Sequence, residues 1–365
     1  MSWIKTVLTQ STVIVILFFS FDFVYTKYFR EPNNQESVYR VRNNIYHHSF
    51  LPSYNGIGNW GGEQYRVCTD PNGFKSSCEN TLTSRTSFDI AFIGDSYTEA
   101  IGVPYDDSFV GMFANTHKNI NIANLGVASY APTVYRKKIE NLISRGYEFN
   151  HVVVFIDISD IQDEANYFRD SKGNVQLSPN GAIQQDILLT KIKEYVADNF
   201  SLFMLLYSSI GQLLQDDLRT SSGDIFALEK SEWTHNTSSN AYGDLGVIGS
   251  IEKAVQEMTR LHEFLQSNNI KLSVGVYPWP EQIREMAEKN NDSNLQVDIW
   301  REFCINRCDH FINMFPKYFK MVKKSSIDGV YNAYFIQGDH HYNRQGNLLI
   351  YEALLELNLT EYVGR

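Results

Sequence analysis

The chain has 365 residues, 43% of them hydrophobic, enough to bury a substantial core in one large or two smaller domains. A formal net charge of −10 and a pI near 5.4 exclude the clustered lysine and arginine surface that binding to nucleic acid requires. No internal repeat or low-complexity tract is present.

The amino terminus differs in kind from the rest. Val7 to Tyr25 is predominantly apolar, interrupted only by Thr9, Gln10, Ser11, Thr12, Ser20 and Asp22, with Lys5 before it and Lys27 and Arg30 after it. As a helix this length spans a bilayer. No Ala-x-Ala-like site follows, so residues 1–30 read as an uncleaved signal anchor rather than a removed signal peptide. Charge lies on both flanks and leaves the orientation open.

Residues 31–86 are rich in Asn, Ser, Gly and Tyr without clear periodicity, and read as an extended segment wrapping the edge of the following domain. Within them Cys68 and Cys78 bracket a turn-rich stretch that a disulfide closes easily in an oxidising compartment. Cys304 and Cys308 lie one helical turn apart, where bridging requires the helix to be ending. Neither pair has the Cys-x-x-Cys spacing of a zinc site, and four buried thiols are the alternative to two bridges.

Beyond Ser87 the pattern becomes regular. Apolar runs at 90–93, 120–125, 151–156, 272–277 and 311–315 read as strands, and helical patterns fall at 108–116, 134–145, 250–266 and 295–304. Alternating strands and helices indicate a parallel three-layer α/β sheet with its site outside the carboxyl ends of the strands. Residues 165–248 interrupt the rhythm as a helical insertion, with a turn at Asp170–Asn174, a helical stretch over 186–215 and an apolar patch at Leu202–Tyr207. Packing is the plain reading of that patch; a lid or a face against the bilayer is the alternative.

Two blocks carry chemistry. Ile90–Ile93 runs into Gly94-Asp95-Ser96, which delivers a serine to a tight turn at the end of a strand. Near the other end of the chain, Gly338-Asp339-His340-His341-Tyr342-Asn343-Arg344-Gln345-Gly346 offers an imidazole and a carboxylate on one loop. A serine hydroxyl needs an imidazole to take its proton, and that imidazole needs a partner to fix its tautomer. This pair of blocks resembles the SGNH or GDSL hydrolases, whose late block has a His followed by x-Asn-x-x-Gly. His341 fits that register and His340 does not.

The resemblance covers roughly residues 88–357 and implies flavodoxin-like winding for a catalytic domain spanning 87–365. The Asp-x-His spacing of Asp339 and His341 is similar to a branch associated with acetylation of envelope polysaccharides; the family's usual Asp-x-x-His places the acid at Gly338. The resemblance therefore implies Ser96 as nucleophile, His341 as base and Asp339 as the orienting acid. It also implies oxyanion donors from the Ser96 backbone, from a second block at 124–132 and from a third block at 155–163. In the second block the donor falls on the Ser129 N–H, with Gly126 competing; in the third, Ser159 stands where the family has Asn.

The acids Asp157, Asp160, Asp163 and Glu164 have no EF-hand spacing, and neither a metal nor a cofactor is expected. Glu99 reads as support for a helix start, Trp279 as a packed turn with sugar stacking as the alternative, and His47 and His48 as structural. The expected function is a serine esterase or O-acyltransferase acting on acyl, most simply acetyl, esters of an envelope glycan. It would be anchored to the cytoplasmic membrane, with its catalytic domain on the periplasmic side and envelope polysaccharide machinery as a partner. The alternative is a glycan-binding or assembly protein with a degraded site.

Overall fold

The structure, a computed structural model, describes residues 2–28, 39–60, 63–80, 82, 84–178, short pieces between 195 and 239, 242–292, 294–357 and 359. Most of the helix expected over 186–215, and half of the 202–207 patch, lie outside the described residues. The chain divides into two compact units: residues 1–34 with 184–223, and residues 35–183 with 224–365.

The first unit is built on α1 (Ser2–Tyr28), and its Thr9–Tyr28 portion is long and apolar enough to cross a membrane. Val13 to Leu17 are 49–65% exposed among the described residues. Asp22 is fully buried. Its carboxylate accepts the backbone N–H groups of Leu202 and Phe203 at 2.9 and 2.8 Å and the Thr26 hydroxyl at 3.1 Å, so the one acid in an apolar stretch has its hydrogen bonds met.

The second unit opens with two antiparallel hairpins where the sequence suggested only extended chain. They are β1 (Arg40–Asn43) with β2 (His47–Phe50), and β3 (Asn55–Trp60) with β4 (Glu63–Cys68). In the first hairpin Asn43 Oδ1 accepts the N–H groups of Ile45 and Tyr46, which ties the turn to its own strand. Cys68 is bridged to Cys78 and Cys304 to Cys308. The second bridge closes because its helix stops at Cys304.

The remaining elements follow as β5 (Ser87–Ile93), α2 (Ser96–Glu99), α3 (Phe109–Thr116), β6 (Ile122–Asn124), α4 (Pro132–Ser144), β7 (Glu148–Ile156) and α5 (Asp160–Asn166). A short hairpin of β8 (Tyr167–Arg169) and β9 (Val175–Leu177) comes next. After it come α6 (Gly246–Ser267), β10 (Lys271–Val276), α7 (Pro280–Lys289), α8 (Leu295–Cys304) and β11 (Phe311–Asn313). The last helices are α9 (Phe315–Lys324), α10 (Ile327–Tyr334) and α11 (Arg344–Leu355).

Five strands pair in parallel in the order β11-β10-β7-β5-β6. In order of appearance this is 2-1-3-4-5, the flavodoxin-like doubly wound arrangement. Ile90 to Ile93 and Val152 to Ile156 are all fully buried, although successive side chains point to opposite faces, so both faces of the sheet are covered. The winding reverses at β5. Its carboxyl end is therefore the crevice where such sheets place their sites.

Candidate active site

β5 ends at Ile93, and the chain turns through Gly94 and Asp95 into α2. A Cβ on Gly94 would stand 2.1 Å from Thr98 Oγ1 and 2.8 Å from the carbonyl oxygen of Phe155, so no side chain fits there. Asp95 caps the turn by accepting the Tyr97 N–H at 3.0 Å. Ala100 closes it in the left-handed conformation. These constraints put Ser96 at the first position of the helix, at the mouth of the crevice.

The late block folds back on itself after α10. Asp339 N–H donates to the carbonyl of Ile336, Ile336 N–H donates to that of His341, and Gly338 takes φ +76° between them. Asn343 then caps α11 through the N–H groups of Gln345 and Gly346. Within this loop Asp339 Oδ1 accepts both the His341 backbone N–H at 2.7 Å and its ring Nδ1–H at 2.5 Å. The Asp-x-His spacing makes that double contact possible, because a carboxylate readily reaches the backbone two residues on.

His341 Nε2 lies 2.9 Å from Ser96 Oγ. With Nδ1 donating to Asp339, Nε2 carries the lone pair and is the nearer of two acceptors for the Ser96 hydroxyl hydrogen, the other being Asp95 Oδ2 at 3.2 Å. Burial by itself raises the Asp339 pKa, but the hydrogen bonds and charge of His341, with a contribution from His340, outweigh it and hold the carboxyl well below its usual range. Trp60 Nε1–H donates to Asp339 Oδ2 at 3.0 Å, and its ring stands edge-on to His341 at 5.2 Å. Nothing in the sequence singled out Trp60, which sits in a strand without hydrophobic periodicity.

The oxyanion candidates of the second and third blocks part company. Gly126 N–H donates to Asn124 Oδ1 at 3.0 Å, which commits it. Ser129 lines the same cleft as Ser96 and takes φ +60°. Ser159 also lines the cleft, but its hydroxyl and backbone N–H both donate to Asp157 Oδ1, at 2.8 and 2.7 Å. As placed, the Ser159 hydroxyl hydrogen is engaged by Asp157. Asn166, at the end of α5, is the cleft residue with an amide side chain.

Beneath Ser96 the carboxylates of Asp95, Asp157 and Asp160 offer oxygens within 4.8 Å of one another, all buried. Tyr277 donates to Asp95, Trp279 Nε1–H to Asp157 and the Tyr135 hydroxyl to Asp160. Burial and the neighbouring Asp157 charge push Asp95 and Asp160 well above the usual carboxylate range, so the cluster retains protons. Asp163 lines the cleft instead, and Glu164 is engaged by Thr133 and Lys253. Trp279 is buried, with His340 stacked on it at 4.1 Å, the arrangement of a packed turn.

Glu99 does more than begin a helix. It accepts both guanidinium N–H groups of Arg40, at 2.6 and 2.9 Å, and the Ala128 N–H at 2.8 Å. The first hairpin, α2 and the loop bearing Ser129 thus meet at one carboxylate. The cleft they surround has a volume of about 540 Å³ and includes Ser96, His341 and Trp60 in its wall.

No protein-family model and no curated protein matches this chain. Among solved structures it is similar to a member of the lipolytic protein G-D-S-L family from Veillonella parvula, with 13% identity, 74% of this chain and 97% of that one covered, and a TM-score of 0.37. It is also similar to a catalytic mutant of an acetylxylan esterase from Geobacillus stearothermophilus (10% identity, 75% and 95% covered, TM-score 0.41). A third is a psychrotrophic esterase from a Pseudoalteromonas species (11% identity, 77% and 100% covered, TM-score 0.36). At these scores the fold rests on the strand order described above, and the site on its own geometry.

Proposed function

We propose that this chain is a serine esterase or O-acyltransferase of the SGNH type. The observation that carries the reading is the continuous line from Ser96 Oγ to His341 Nε2, 2.9 Å, and from His341 Nδ1 to Asp339 Oδ1, 2.5 Å, opening on a cleft. Ser96 Oγ attacks the acyl carbon as its proton passes to His341 Nε2. The resulting imidazolium is stabilised by Asp339. Backbone N–H groups of Ser96 and Ser129 hold the tetrahedral oxyanion. Collapse breaks the ester C–O bond, and His341 returns the proton to the departing alcohol. The acyl-serine then passes its acyl group to water or to a second hydroxyl, and the same residues serve both outcomes.

An acetyl ester of an envelope glycan is the substrate we favour, in line with the Asp-x-His spacing. Two disulfides suit an oxidising compartment. The exposed apolar face of α1 suits an anchor in the cytoplasmic membrane. Together they support a domain arrangement of anchor, hairpin-bearing segment and periplasmic catalytic domain. The engagement of the Ser159 hydroxyl by Asp157 favours the second reading, a glycan-binding protein with an impaired oxyanion site.

A fluorophosphonate probe applied to the full chain in detergent separates the two. Labelling that disappears in both Ser96→Ala and His341→Ala is the expected result. A folded parent that does not label sinks the enzyme reading.

A further inference from the structure

Two adjacent histidines in the cleft wall form a directed chain of hydrogen bonds that the triad does not use. His48 Nε2 lies 2.7 Å from the carbonyl oxygen of Ala128, and a carbonyl only accepts, so Nε2 carries the hydrogen. His48 Nδ1 lies 2.7 Å from His47 Nδ1, and only one hydrogen fits between them. Burial pushes the His48 pKa down to about 3, so this ring is neutral and its Nδ1 is bare. His47 therefore donates from Nδ1. Burial, and then the charge of Arg42, lowers the His47 pKa as well. A neutral ring that donates from Nδ1 presents a bare Nε2.

The surroundings hold this pair in place. His47 takes φ +79°, a left-handed conformation that side chains disfavour, directly after the turn that Asn43 ties down. Its ring stands edge-on to Tyr167 at 5.4 Å, while the Tyr167 hydroxyl donates to the Ser129 carbonyl at 2.6 Å. The Tyr130 hydroxyl donates to the His48 carbonyl, also at 2.6 Å. The chain of hydrogen bonds ends on the peptide group joining Ala128 to Ser129. That peptide is trans, so drawing its C=O onto His48 sends the Ser129 N–H the opposite way.

Resting on the esterase reading above, we infer that His47 Nε2 receives a free hydroxyl of the substrate, in a polar subsite of the cleft that holds Ser96. The ligand class is an acylated polyol or sugar that keeps at least one unacylated hydroxyl. Donation of that hydroxyl to His47 completes a one-way series running through His48 to the Ala128 carbonyl. Each hydrogen bond in such a series polarises the next, and the last polarises the Ser129 N–H. His47 is thus a specificity-determining residue, and His48 a positioning residue acting through the peptide.

The test compares methyl 3-O-acetyl-β-xyloside with the same ester whose remaining hydroxyls are methylated, using the full chain in detergent. The parent is expected to prefer the free-hydroxyl ester tenfold or more in kcat/KM, and His47→Phe is expected to reduce that preference to within about twofold. An undiminished preference in His47→Phe overturns the proposal. A second arm needs no turnover: imidazole ¹H–¹⁵N spectra of the histidine-labelled chain, with and without deacetylated methyl xyloside. The expected result is a His47 proton on Nδ1 and a bare Nε2 whose ¹⁵N resonance moves with the glycoside but not with its methylated form. A proton on Nε2, or an unmoved resonance, overturns the subsite. Movement in a chain that hydrolyses neither ester leaves the subsite standing and removes the esterase reading instead.

Discussion

Glu99 and Arg40 lock the first hairpin onto the helix that starts at the nucleophile, with both guanidinium hydrogen bonds made to a carboxylate that is 2% exposed. The same Glu99 Oε2 accepts the Ala128 N–H, so the position of the Ser129 peptide depends on this pair. Arg40→Ala leaves a buried carboxylate without its counter-charge. Removing one partner of such a pair costs about 3 kcal/mol. The expected outcome is that loss of stability in urea denaturation together with a fall in esterase turnover. Arg40→Lys, which keeps the charge and loses the fork, is expected to fall between parent and Ala variant.

Asp339 holds the His341 ring through Oδ1, and its removal should appear in kcat more than in KM. Asp339→Asn breaks the tautomer that leaves Nε2 bare, and hydrolysis of p-nitrophenyl acetate is expected to drop by about 10³–10⁴. Trp60→Phe removes the hydrogen bond to the other carboxylate oxygen, 3.0 Å long, and the expected loss is about tenfold. Equal losses in the two variants would contradict this order of dependence.

Gly126 marks the contact between the second block and α2. A Cβ there would stand 2.6 Å from Glu99 N and 2.8 Å from Thr98 C, both backbone atoms that cannot swing aside. Gly126→Ala is expected to cost about 1–3 kcal/mol and to displace the loop bearing Ser129. Thermal unfolding and fluorophosphonate labelling rate should therefore both fall. A variant with parental stability would show that the loop has room the structure denies it.

Lys138 is fully buried, with Nζ donating to the Leu125 carbonyl at 2.9 Å and lying 4.9 Å from the centre of the Tyr130 ring. Burial pushes its pKa down to about 7, against raising contributions from Asp70 and Glu99. Between that value and the ordinary lysine pKa near 10.5 the unfolded chain binds more protons than the folded one. The Lys138 contribution to stability is therefore fully present above about pH 10.5 and declines as pH falls towards 7. Denaturation midpoints measured from pH 7 to 9 are expected to rise more steeply in the parent than in Lys138→Met. Parallel slopes would mean that Lys138 titrates normally in the folded chain.

The sequence by itself determined the sheet and proposed Ser96, His341 and Asp339 as the triad. Central strands of a parallel sheet are short apolar runs, and such runs at 90–93 and 151–156 are visible without any partner. Gly-Asp-Ser and Asp-x-His are equally local, because a tight turn and a carboxylate reaching two residues along the chain are short-range events. Tertiary structure decided the contacts between distant segments. Trp60 and Asp339 are 279 positions apart and Arg40 and Glu99 are 59, and no local pattern encodes either pair. The commitment of the Gly126 N–H to Asn124, and the engagement of Ser159 by Asp157, depend on where each hydrogen points once the strands are packed. His47 and His48 looked structural for the same reason: their tautomers follow from a carbonyl 80 residues away in the chain.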